Sequence, residues 1–109
     1  MTTPVDRMEE LRQRYAQSLP QKGRDIARQW QACDAAPQDR RALVELHQQV
    51  HRLSGSAPAY GFDELGALAQ PIDAAIAEWL ARNADGREQA ELLRLIEPRV
   101  RALVTALAF

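Results

Sequence analysis

Apolar residues recur along this chain at intervals of three and four, the period of helices that each bury one face. After a polar lead-in of about six residues, Met8, Leu11, Tyr15 and Leu19 open the pattern, and Ile26, Ala27 and Trp30 carry it toward Cys33. Pro20 and Gly23 interrupt or bend this stretch, leaving one bent helix or two. Asp34 to Pro37 reads as a connection, since proline is tolerated in a first helical turn where its missing N–H costs nothing. A helix starting near Pro37 then carries Leu43, Leu46, Val50, Leu53 and Ala57 at i, i+3, i+7, i+10 and i+14, and ends around Pro58 to Gly61. Asp63 is placed to cap the next helix, whose stripe runs through Leu65, Leu68, Ala69, Ile72, Ile76 and Trp79, with a kink expected at Pro71. The polar run from Ala81 closes it at Asn83 to Gly86. Leu92, Ile96, Val100, Leu103 and Leu107 supply a last amphipathic face, bent at Pro98.

No segment alternates with period two and β-branched enrichment, so no sheet is expected. Four long amphipathic segments joined by short connections predict an all-α fold, an antiparallel four-helix bundle with an additional short N-terminal helix covering one end. At 109 residues the chain is expected to be a single domain spanning 1–109.

Composition narrows the partners more than the fold. Apolar residues make up 46% and charged residues 27%, a globular balance. Fourteen basic against fifteen acidic side chains give a net charge of -1, so no global field attracts nucleic acid or an anionic membrane, and neither is expected as a partner. Cys33 is the single cysteine, which rules out an intramolecular disulfide and a multi-cysteine metal site and fits a reducing compartment. The N-terminus carries no basic segment followed by an apolar run, and no stretch approaches a membrane span, so a cytoplasmic location is expected.

The chemistry concentrates around His51. Glycine inside a helix costs up to about 1 kcal/mol relative to alanine, yet Gly55 lies within the strongest helical pattern of the chain. At about 100° per residue, His51 lies on the flank of the stripe, about 120° from its centre, with Gly55 one turn later. Two readings fit this pair. In one, Gly55 clears the approach to an imidazole whose ring-nitrogen lone pair attacks a group presented by another protein. In the other, His51 is an ordinary boundary histidine and Gly55 marks a close helix contact. His47 lies nearer the stripe, has no glycine at i+4, and is read as structural.

His51-Arg52-Leu53-Ser54-Gly55-Ser56-Ala57, followed by Gly61, Leu65 and Leu68-Ala69, resembles the signature H-x-L-K-G-S-A, glycine, L-x-x-L-A of histidine phosphotransfer (Hpt) domains. Leu11-Arg12-Gln13-Arg14-Tyr15 and Leu19-Pro20 are similar to that family's opening. The resemblance implies a four-helix bundle with a phospho-accepting histidine exposed in mid-helix, here His51, and an access glycine, here Gly55. It implies a phosphocarrier, not an enzyme, exchanging phosphoryl groups with receiver domains of response regulators and hybrid histidine kinases in a two-component phosphorelay. No cofactor of its own is expected, the magnesium being carried by the partner receiver. Gln48, Arg52, Ser54 and Gly55 become the site neighbours of His51, and Val44, Gln48 and Tyr60 candidate contacts on a shallow, modest docking face.

One position departs from the family pattern. Ser54 stands where a lysine is usual, and a hydroxyl offers a weaker, neutral hydrogen bond to phosphoryl oxygens. Arg52 is a possible substitute charge, although adjacent helix positions point about 100° apart. The departure keeps open an alternative, a degenerate module that docks receivers with little or no transfer. Two enzymatic readings are weaker. His47 and His51 have the i, i+4 spacing of a zinc helix, but Gln48 replaces the required glutamate and only scattered carboxylates remain as third ligands, so no metal site is expected. An ATP-dependent kinase is excluded by the lack of a glycine-rich phosphate loop.

Overall fold

A computed structural model describes residues 3–82 and 86–108, nearly all of them helical and none in a strand. Four helices follow in order: α1 (Pro4–Ala35), α2 (Arg40–Ala59), α3 (Asp63–Ala81) and α4 (Gly86–Leu107). No helix among the described residues is long and apolar enough to cross a membrane. The expected close of the third segment at Asn83 to Gly86 falls largely outside the described residues.

The first apolar stretch is one helix of 32 residues that continues through Pro20. A proline inside a helix forfeits one backbone hydrogen bond, and burial of Leu19 and Ile26 on either side offsets that loss. The short extra N-terminal helix of the sequence reading is corrected accordingly: those residues are the opening turns of α1. Thr3 caps them in a reciprocal box, its Oγ1 accepting from the Asp6 N–H at 3.1 Å, with Pro4 in the first turn. Because α1 outruns helices of 19 to 22 residues, its start projects past their ends, leaving Val5 78% and Met8 57% exposed. Met8, read as the first residue of a buried stripe, is therefore a surface residue.

Two helix starts also move. α2 begins at Arg40, not near Pro37, because the Asp39 carboxylate accepts from the N–H groups of Arg41 at 2.9 Å and Ala42 at 3.3 Å. At α3 the capping position is Phe62, without a side-chain cap, and Asp63 is the first helical residue, where its charge favours the positive helix end. The corner before it turns on Gly61, whose φ of 88° suits glycine, and closes through the Phe62 N–H to the Ala57 carbonyl at 2.8 Å.

The stripes meet in one core. Leu43, Leu46, Val50, Leu53 and Ala57 of α2 are all buried, against Leu65, Ala69, Ile72, Ile76 and Trp79 of α3 and Leu92, Leu93, Ile96, Val100, Leu103 and Leu107 of α4. Along α2 and α3, contacts pair rising with falling numbers: Arg40 with the Leu80 carbonyl, His47 with Asp73, and Pro58 with Gly66. At the last of these a Cβ on Gly66 would lie 2.9 Å from Pro58 Cδ and nearer still to Cγ, so the two helices approach as closely as a glycine allows. That corner, with Ile72 and Ile76 fully buried, sets which face of α3 looks at α2.

Candidate functional site

One turn apart on α2, His47 and His51 both face α3, their rings 5.6 Å apart. Between them and α3 stands Asp73, next to the buried Ile72, and its carboxylate bridges both imidazoles. His47 Nε2 lies 2.7 Å from Oδ1 and His51 Nδ1 lies 2.9 Å from Oδ2. The single Ser54 hydroxyl hydrogen has two acceptors in reach, the same Oδ2 at 3.1 Å and the His51 carbonyl at 2.8 Å. The side chains differ in exposure: Asp73 is 17% exposed, His47 21% and His51 68%.

This geometry assigns protons. An ionised carboxylate only accepts, so each ring nitrogen facing it carries a hydrogen. His51 in its neutral form is then the Nδ1–H tautomer, and its Nε2 keeps the lone pair. Burial alone would push the Asp73 carboxyl up, but hydrogen bonds from His51, His47 and Ser54 and the nearby His51 charge outweigh it and hold the group below the usual carboxylate value. Asp73 thus stays ionised at neutral pH.

Gly55 lies one turn beyond His51 and is exposed. A Cβ built there meets nothing within 4 Å, so close helix packing does not account for this glycine. Gly66 and Gly23, also inside helices, are the ones that packing requires, with a Cβ meeting Pro58 at the first and Leu107 Cβ at 2.9 Å at the second.

The remaining residues singled out in the sequence lie apart from the cluster. Gln48 is exposed and Val44 half-buried on α2. Arg52 lines a groove between α1 and α2 with Tyr15, Lys22, Gln49, Ser56 and Tyr60. Lys22, the single lysine of the chain, sits there too, 5.3 Å above the Tyr15 ring. Tyr60 is half-buried and stacks on Tyr15 with centroids 4.5 Å apart, while Tyr15 Oη bonds Ser56 Oγ at 2.6 Å, which ties the end of α2 to α1. Asp73 is the residue that sequence reasoning missed; its only sequence signal is a carboxylate one position after a buried stripe residue. With it, His47, His51 and Asp73 offer three metal-ligating atoms within 4.8 Å of one another, a third ligand that was not apparent from spacing.

Comparison with characterised proteins and with solved structures finds no match. The Hpt domain family matches residues 6–108, essentially the whole chain. From its helical architecture, its central motif and this match, the chain belongs to the Hpt domain family.

Proposed function

We propose that this chain is a phosphocarrier of a two-component phosphorelay, an antiparallel bundle of one domain in which His51 Nε2 accepts a phosphoryl group from a receiver aspartate and returns it to another. Hpt domains are phosphocarrier modules of such relays, not enzymes. The observation that carries the assignment to His51 is its exposed ring, held through Nδ1 by Asp73 with open space at Gly55 on the same flank. Receivers are cytoplasmic partners in this reading, docking around His51 with Val44, Gln48 and Tyr60 as candidate contacts.

In the transfer step the Nε2 lone pair forms the N–P bond while the P–O bond to the receiver aspartate breaks, and the bond pair leaves with that carboxylate. The ring becomes positively charged as the bond forms. Asp73, accepting from Nδ1–H throughout, stabilises that charge in place and keeps Nε2 aimed outward. Charge on the transferring oxygens is met on the receiver's side, where magnesium is expected, so this chain contributes chiefly position. Acyl phosphate and phosphoramidate are both energy-rich, which makes the transfer reversible.

Ser54 favours a second reading, a docking module with weak transfer, since its hydroxyl is engaged by Asp73 and the only lysine, Lys22, lies on α1 over the Tyr15 ring. Labelling from a phosphorylated receiver decides between them. His51→Ala should abolish acid-labile phosphate on this chain and His47→Ala should not. Label persisting in His51→Ala overturns the acceptor assignment, and absence of label on wild type from a panel of competent receivers supports the docking module.

A further inference from the structure

The cluster that orients His51 is also a set of metal donors. We propose that His47 Nε2, His51 Nδ1 and one oxygen of Asp73 bind a divalent transition-metal ion, zinc by the chemistry of the donors, and that its occupancy suppresses phosphorylation of His51. Metal binding stands on the geometry alone; the suppression rests on the functional reading above.

Two imidazole nitrogens and a carboxylate oxygen suit zinc, and three protein ligands leave a fourth position for water. The i, i+4 spacing places both rings on one face of α2, and the three donor atoms lie within 4.8 Å of one another. Tetrahedral zinc with bonds of about 2.0–2.1 Å needs its ligand atoms about 3.4 Å apart. The present contacts of 2.7 and 2.9 Å are hydrogen bonds to different oxygens of Asp73, and the donor atoms lie within 4.8 Å of one another, so admitting the ion requires the carboxylate to turn one oxygen toward it and the side chains to shift to the spacing of about 3.4 Å. His47 and Asp73 are held by packing, the exposed His51 opens a path for entry, and Ser54 Oγ orients the carboxylate as an outer-shell donor.

The coupling to phosphotransfer follows from the proton count. Metal on His47 Nε2 and His51 Nδ1 displaces the hydrogens there, and each neutral ring keeps its proton on the other nitrogen, with no net release. For His51 that other nitrogen is Nε2. Its lone pair is then taken by hydrogen, and the atom that must attack phosphorus is no longer nucleophilic.

The test begins with zinc chloride alone, titrated into the whole chain without a receiver and followed by histidine side-chain nitrogen NMR. One equivalent should shift His51 Nδ1 and His47 Nε2. His47→Gln and Asp73→Ala should each weaken binding by at least the ~10-fold that loss of an outer-shell partner already costs. Glutamine keeps a donor toward Asp73, so the first variant retains the local fold, which circular dichroism checks. Non-saturating shifts, or wild-type affinity in both variants, overturn the site. Receiver-driven transfer is then measured with and without stoichiometric zinc, each protein against its own metal-free rate. Zinc should slow wild type by tenfold or more and His47→Gln far less. Equal slowing in both places the effect on the receiver and overturns the coupling. Absence of transfer without zinc removes the functional reading and the coupling with it, while the titration still decides the site.

Discussion

Replacing Asp73 by alanine removes the carboxylate that is hydrogen-bonded to His51 and leaves the acceptor ring itself in place. Its effect is set by what the hydrogen bond gains as the reaction proceeds, since interactions equal in ground and transition states do not change the rate. In the ground state the Nδ1–H of a neutral ring meets Asp73 at 2.9 Å; in the transition state the same contact joins a carboxylate to a cationic ring. Hydrogen bonds to charged groups contribute about 1.5–3 kcal/mol, and exposed ion pairs about 0.2–1 kcal/mol. With Asp73 17% and His51 68% exposed, the pair is half screened, and a gain of about 1 kcal/mol is the appropriate figure. That corresponds to roughly fivefold in rate. Loss of tautomer control adds to it, because an untethered ring places its hydrogen on Nε2 part of the time, bringing the expected slowing to about five- to tenfold. Single-turnover transfer from a prephosphorylated receiver measures it, with circular dichroism confirming intact helices. Half-saturation by receiver should change little, since Asp73 is largely enclosed. Asp73→Asn should be at least as slow, because its amide accepts from one ring and offers N–H groups to the other. Transfer by a folded Asp73→Ala at the wild-type rate would refute the positioning role.

Other substitutions test separate parts of the argument. Gly55→Ala adds a methyl group where nothing lies within 4 Å and should raise stability by about 0.5–1 kcal/mol in a thermal melt while transfer continues. Gly55→Leu should remain helical and lose transfer; a wild-type rate there would show that the open flank is not an approach path. Gly66→Ala should do the reverse, lowering stability by about 1–3 kcal/mol because the new Cβ meets the rigid Pro58 ring at 2.9 Å or less, and an unchanged melting temperature contradicts the close contact. Ser54→Lys should shift the equilibrium between phosphorylated receiver and phospho-His51 toward the latter by roughly two- to fivefold, less at high salt, as for exposed ion pairs. No shift at low salt would place residue 54 away from the phosphoryl group.

The buried stripe of α2 was legible in full from Leu43 to Ala57, because helical phase is local information: spacing alone says which side chains share a face. The same phase put His51 on a flank, and the motif around it carried the family. Helix starts were less legible. Pro37 and Asp63 both looked like initiation signals, whereas Asp39 and Phe62 occupy the capping positions, since a cap depends on where the backbone leaves the helical region and which N–H groups its side chain then meets. Pro20 did not end α1, because the core contacts of Leu19 and Ile26 outweigh one missing hydrogen bond. The site needed the tertiary structure most. Asp73 is 22 residues from His51 and one of fifteen acidic side chains, and no spacing rule selects it. It faces the imidazoles because Ile72 and Ile76 must be buried and because Pro58 rests on Gly66, which together fix the rotation of α3 against α2. Gly55 and Gly66 are alike in sequence, each a glycine inside an apolar helical pattern. Only packing distinguishes them, one opening onto solvent beside the acceptor and the other closing the contact that aims Asp73 at it.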